Sequence, residues 1–128
     1  ELCGIPVPKT VEGLSLVSGP RRDHLCAEHY EDEKSMRMIR YEHYKLVWYP
    51  IGNRFQMFDL AFDPHEMEDL SAEAKLADIR HHMEDLLMKD LYGSDLVWIK
   101  DGRLVGLPDR DYLPSPNRGL TAQRGWRF

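Results

Sequence analysis

Apolar and polar positions alternate in successive runs through the middle of the chain. Residues 35–50, SMRMIRYEHYKLVWYP, hold two of these runs. In the first, Met36, Met38 and Arg40 oppose Arg37, Ile39 and Tyr41; in the second, Tyr44, Leu46 and Trp48 oppose Lys45, Val47 and Tyr49. Period-two alternation around the short polar break Glu42-His43 predicts a hairpin, although the usual Asn-Gly or Asp-Gly turn is missing. Ile51-Gly52-Asn53 predicts a second turn and Arg54–Leu60 a third strand, so the three form an antiparallel meander. Upstream, residues 23–30, DHLCAEHY, predict a short strand with Leu25, Ala27 and His29 on one face and His24, Cys26 and Glu28 on the other. An acidic turn over 31–34 separates that strand from the meander.

The period then changes. Asp63-Pro64 breaks the strand pattern, and Ser71 is placed to cap a helix through its side-chain oxygen. Leu76, Ile79, Met83, Leu86, Leu87 and Leu91 recur at spacings of three and four, the seam of an amphipathic helix. About 20 residues, near 30 Å, would lie across a small sheet, with Tyr92-Gly93 as the stop. Asp101-Gly102 between two apolar runs predicts a small hairpin over 95–106. The two ends carry little periodicity. Residues 4–21 hold three prolines and read as an ordered connecting loop, anchored by Val11, Leu14 and Leu16. From Leu107 the chain is rich in Pro, Gly and Arg, and predicts an irregular tail that needs another surface to lie on.

Composition narrows the class without naming it. Of 128 residues 42% are hydrophobic, about 54 side chains, which suffices for one core but not two. A net charge of −5, with lysines and arginines scattered, argues against a nucleic-acid binder and against a polybasic membrane surface. No stretch approaches the ~18 apolar residues of a membrane-spanning helix. Two cysteines, Cys3 and Cys26, form at most one bridge and leave the redox compartment open. The opening Glu1-Leu2-Cys3-Gly4 resembles the end of a helix, and predicts that the chain is a piece of something larger.

Candidate chemistry is sparse. Asp59, Asp63, Glu66, Glu68 and Asp69 are rich in carboxylate, but they lack the alternating oxygens, central Gly and closing Glu of an EF-hand calcium loop. A solvated strand-to-helix connection is the better expectation. His81 and His82 are neighbours on a helix, about 100° apart, and cannot grip one ion together. Cys26 beside Glu28 and His29 could be an activated thiol, yet positions 26 and 29 of a strand face opposite sides, so a core thiol is expected. Arg118 and Arg124 beside Gly119 and Gly125 could grip an anion, against a plain surface tail. No phosphate-binding Gly loop and no nucleophile elbow occurs. The residues alone assemble no complete active site.

Four stretches nevertheless resemble the C-terminal part of the sulfatase family, the formylglycine-dependent sulfuric ester hydrolases of the alkaline-phosphatase superfamily. ELCGIPVPKTVEGLSL at Glu1–Leu16 resembles a helix end and its Pro-rich loop. Met36–Arg40 with Tyr44–Val47 resembles a hairpin written R-x-x-x-Y-K-L. Met57-Phe58-Asp59-Leu60, Asp63-Pro64-His65-Glu66 and Asp69-Leu70 resemble the specific signature L-Y/F-D-L-x-x-D-P-x-E-x-x-N/D-L. Gly106–Asp109, Asn117–Leu120 and Gln123–Gly125 resemble the tail of some microbial sulfatases.

The resemblance implies an α+β fold: a small antiparallel sheet of about four strands, packed by one long C-terminal amphipathic helix, with an irregular Pro/Gly/Arg-rich tail beyond it. It divides the chain into a connecting segment (1–21), the sulfatase C-terminal subdomain (22–106) and the tail (107–128). It also implies that calcium, the formylglycine nucleophile and the sulfate-holding residues belong to an N-terminal catalytic domain. Neither Cys3 nor Cys26 begins the C/S-x-P-x-R motif that is oxidised to formylglycine, so no catalytic residue and no metal ligand transfers here. The fragment is expected to be inactive alone and to contribute to the substrate cleft, with Glu28, His29 and Tyr30 as substrate-binding candidates. Its expected partners are the N-terminal domain and, in the parent, a sulfate ester. An uncovered apolar patch would be met by self-association. Two alternatives stand beside this: a non-catalytic interaction module, and the same subdomain of a phosphonate-monoester or phosphodiester hydrolase.

Overall fold

The structure, a computed structural model, describes residues 2–11, 13–15, 17–31 and 34–110. The expectations for Leu16, for Arg118 and Arg124, and for most of the tail lie outside these residues. Four strands form one sheet in the order β1-β2-β3-β4: β1 (His24–His29), β2 (Met36–Tyr41), β3 (Tyr44–Tyr49) and β4 (Arg54–Asp59). Every neighbouring pair is antiparallel, with Cys26 opposite Ile39, Ile39 opposite Leu46 and Leu46 opposite Met57. The predicted hairpin closes with Tyr41 opposite Tyr44, and Glu42 takes a positive φ of 53° in place of the missing Asn or Gly.

Because side chains alternate across a strand, this register lines Cys26, Ile39, Leu46 and Met57 in one row. That row meets α1 (Ala77–Asp90), whose Met83, Leu86 and Leu87 are buried against it. Trp48 fills the same side, with Trp98 edge-on to it at 5.9 Å and Phe55 stacked at 6.4 Å. The indole N–H of Trp48 donates to Asn53 Oδ1 at 2.8 Å, and Asn53 Nδ2 donates to the Leu104 carbonyl at 3.0 Å. A buried donor is thereby satisfied, and the second turn is tied to the small hairpin of β5 (Ile99–Lys100) and β6 (Arg103–Leu104). That hairpin turns at Asp101-Gly102, both with positive φ, as their order predicts.

The helix departs from expectation in its start and its length. Ser71 does not cap it. The backbone N–H of Ser71 donates to Asp69 Oδ1, and its carbonyl accepts Arg80 Nη1 at 2.7 Å. A single 3-10 turn, Ala74–Leu76, then leads into fourteen α-helical residues, about 21 Å in place of 30 Å. The stop comes at Leu91, which turns to extended backbone while its N–H still reaches the Leu87 carbonyl. Gly93 opens a 3-10 turn over Gly93–Trp98.

Gly106 is required where it stands: its φ is +60°, and an added Cβ would sit 2.1 Å from the Pro50 carbonyl oxygen. The close approach lets Leu107 N–H donate to Pro50 O at 2.8 Å, which fastens the chain after β6 to the turn before β4.

Leu87 has no exposed surface and lies at the centre of the helix–sheet contact. Leu87→Ala should lower unfolding free energy by about 3 kcal/mol, read as a fall in urea midpoint at unchanged slope.

Candidate functional site

The carboxylate-rich segment after β4 is a locked loop. Asp59 Oδ1 accepts the N–H groups of Ala61 and Phe62. Asp63 Oδ2 accepts those of Met67 and Glu68, and the Glu68 N–H foremost holds the Asp63 carboxyl below its ordinary pKa. Asp69 Oδ1 reaches back to the Met57 N–H at 3.0 Å and forward to that of Ser71 at 2.9 Å. Partial burial pushes the Asp69 pKa upward, but the two N–H bonds outweigh it and leave the group below the usual range. Glu66, on positive-φ backbone, pairs with Lys45 Nζ through both oxygens at 2.6 and 2.8 Å. These acids serve backbone donors and one lysine, and no group of three or more potential ligands among the described residues could hold a metal.

The residues expected to touch substrate lie at the end of β1. Glu28 faces the helix side of the sheet, and its Oε1 accepts the Tyr92 hydroxyl at 2.8 Å. That bond raises the Tyr92 pKa, with the nearby Glu28 charge adding to it. Tyr30 follows the strand with a φ of 58°, unusual for a bulky side chain, and the residue is 66% exposed. Both residues line an open cleft of about 420 Å3 with Glu31, Arg37, Tyr92 and Asp95. His29 points to the opposite face of the sheet, although its ring meets that of Tyr30 edge-on at 4.2 Å.

Beneath the cleft lies Arg37, 4% exposed. Its Nε donates to Asp95 Oδ2 at 2.6 Å and its Nη2 to Oδ1 at 2.9 Å, a two-pronged pair with a carboxylate that is equally buried. Nη1 donates to the carbonyls of Tyr30 and Met36, both at 3.1 Å, and the guanidinium lies over the Trp98 ring. The sequence pattern places Arg37 on a strand and Tyr92 at a helix stop, but gives neither of them, nor Asp95, a role at a site. A signal was present, since Arg37 shares its β2 row with the core residues Ile39 and Tyr41, where a charge demands a partner.

The face of the sheet turned away from α1 is apolar too. Ala27, Met36, Met38, Val47 and Phe58 border a shallow hollow of about 290 Å3, rimmed by Lys45 and Glu66. Several side chains outside the core are conspicuously exposed: Leu2, Ile5 and Val17 in the connecting segment, and Phe62 and Met67 after β4.

Cys26 is half-buried against the core, and burial, with the charges of Asp90 and Glu28, pushes its thiol up to about 11. That is a packing thiol and not an activated one. His82 rests edge-on against Tyr41 at 4.8 Å, while His81 borders a hollow with Asn53, Arg103 and Leu104, so the two histidines diverge.

A family model described as N-sulphoglucosamine sulphohydrolase, C-terminal, matches residues 1–92. An arylsulfatase of Clostridium perfringens (strain 13 / Type A) is 30% identical in an alignment of 107 positions that covers 79% of this chain and 22% of that protein. A protein of Bacteroides thetaiotaomicron VPI-5482 assigned as a sulfatase is similar in structure, with a TM-score of 0.63 and 28% identity over 77% of this chain and 24% of that one. A 2-O GAG sulfatase follows with a TM-score of 0.60 and 27% identity, over the same shares. A protein solved with its substrate D-glucosamine-2-N,6-O-disulfate shares the fold, with a TM-score of 0.57 and 23% identity over 69% of this chain and 21% of that one. The chain thus spans under a quarter of the length of these relatives.

A depressed carboxyl contributes stability that is whole above the ordinary Asp pKa of about 3.9 and is lost as pH falls through the lowered value. Asp69→Ala should therefore cost about 1 kcal/mol at pH 7, and the gap to wild type in urea midpoint should close toward pH 3. With iodoacetamide at pH 8, the exposed Cys3 should label well before Cys26; equal rates in peptide mass spectrometry would contradict the packing assignment.

Proposed function

The chain belongs to the N-sulphoglucosamine sulphohydrolase C-terminal family, and on that premise we propose that it is the C-terminal subdomain of a sulfatase that hydrolyses sulfate esters. The match over residues 1–92 carries this reading. The 30% identity to an arylsulfatase agrees with it, and so does the chain's share of that protein's length. The nucleophile and the metal site belong, on this reading, to an N-terminal catalytic domain, and the 128 residues are inactive without it.

The division of labour follows from the two faces of the sheet. One face is closed by α1. The other presents Met36, Met38 and Ala27 with no helix over it among the described residues, and a layer of this kind is stable when a second surface covers it. The catalytic domain is the proposed cover, with residues 1–21 as the connection, 22–106 as the subdomain and 107–128 as the tail. Glu28, His29 and Tyr30, at the strand end between the two faces, are the proposed contacts to substrate.

The full-length protein should hydrolyse an aryl sulfate, and the 128-residue chain alone should show no turnover. Full-length protein that cleaves phosphodiesters and leaves aryl sulfates intact would overturn the sulfatase reading. Turnover by the isolated chain would overturn the assignment of the nucleophile to another domain.

A further inference from the structure

We infer that Arg37, paired with Asp95, is a positioning residue that holds Glu28 and Tyr30 as a preformed subsite for an uncharged, hydroxyl-bearing part of the substrate, such as a sugar ring without a second sulfate. The inference rests on the sulfatase reading and deepens it.

Three observations meet at one place. Tyr30 stands on left-handed backbone, which a bulky residue adopts only when its surroundings impose it. The imposing contact is visible: Arg37 Nη1 holds the Tyr30 carbonyl, and Asp95 orients the guanidinium in turn. Yet Tyr30 is left largely in solvent, with only the His29 ring edge-on to its own, so the strained backbone is not repaid by burial in the core. Glu28 is likewise steadied, by the Tyr92 hydroxyl at 2.8 Å and by Arg37 Nε at 3.8 Å, while its side chain remains 47% exposed. A buried, fully oriented arginine thus presents an acid and an aromatic ring toward one open cleft.

The chemistry of that cleft is selective. A carboxylate accepts hydrogen bonds from sugar hydroxyls, and tyrosine rings offer apolar faces with a polar tip to a ring of mixed character. The Arg37 charge is matched by Asp95, which leaves Glu28 and Glu31 at the cleft to repel a second sulfate. The hydrolysed sulfate would lie elsewhere, against the catalytic domain.

The test uses the full-length protein with a monosulfated hexosamine and its disulfated counterpart. Glu28→Gln and Tyr30→Ala should each raise KM for the monosulfated sugar roughly tenfold, with the larger share of the loss in KM and not in kcat. Glu28→Gln should also narrow the preference for one sulfate over two. Tyr92→Phe removes only an exposed hydroxyl from Glu28 and should raise KM about threefold, with no further rise when combined with Glu28→Gln. Asp95→Asn should reproduce the KM effect of Tyr30→Ala at a retained fold. If Asp95→Asn fails to fold, Tyr92→Phe decides the holding of Glu28, and Arg37→Lys, which keeps the charge without the fork, decides that of Tyr30.

Native KM values in both Glu28→Gln and Tyr30→Ala would overturn the subsite. Normal KM in folded Asp95→Asn or Arg37→Lys, beside a raised KM in Tyr30→Ala, would overturn the positioning role. An enzyme that hydrolyses aryl sulfate but neither sugar would sink the inference and leave the sulfatase reading standing. One that hydrolyses no sulfate ester would remove that reading first.

Discussion

A guanidinium taken out of water must find a counter-charge and acceptors for its N–H groups, and Arg37 meets that demand across 58 residues of sequence by pairing with Asp95. The requirement fixes more than one ion pair. Asp95 sits in the 3-10 turn that follows α1, so the pair holds the chain leaving the helix against the β1–β2 edge of the sheet. The same guanidinium lies over Trp98, which itself meets Trp48 edge-on, so the charge is embedded in the aromatic part of the core. Its remaining N–H groups reach the carbonyls of Tyr30 and Met36, on either side of the β1–β2 connection. Core, turn and cleft therefore share one anchor.

A second set of polar contacts works locally. In the segment after β4, Asp59, Asp63 and Asp69 each hold two backbone N–H groups that no strand or helix satisfies. Lys45 on β3 and Glu66 in the loop then join the hairpin to that segment. The signature of the family is, in this chain, a device for turning a strand into a helix without an N-cap. That accounts for its acidity without a metal. It also explains why Ser71 does not cap the helix, since its side chain is already hydrogen-bonded to Asp69 and its carbonyl is held by Arg80.

The two faces of the sheet differ in what completes them. The α1 face is filled by Ile39, Leu46, Trp48, Met57 and the helix seam, and is complete within the chain. The other face carries methionines and an alanine where a sheet bordered by water would carry polar side chains. Membership in a C-terminal family, with relatives of which the chain covers under a quarter, agrees with the proposed cover by another domain.

Strand boundaries and the division of side chains between faces were legible along the chain, because alternation has a period of two and leaves little freedom over six residues. Met36–Tyr41 and Tyr44–Tyr49 form as their pattern predicts, and the turn at Asp101-Gly102 follows from its residue types. The helix seam was legible for the same reason, and the family from the loop signature. The likeness points to Glu28 and Tyr30, but not to their grouping with Tyr92 and Arg37. Local pattern determines which way a side chain faces; it carries no information about a partner 58 or 64 residues away. Ser71 does not start the helix because Asp69, anchored on the Met57 N–H twelve residues back, holds Ser71 in the loop through its N–H. What the sequence by itself determined is the set of elements and the faces they turn. Only the tertiary structure decided which charges meet, because burial leaves Arg37 no solvent to pair with and so makes Asp95 its partner.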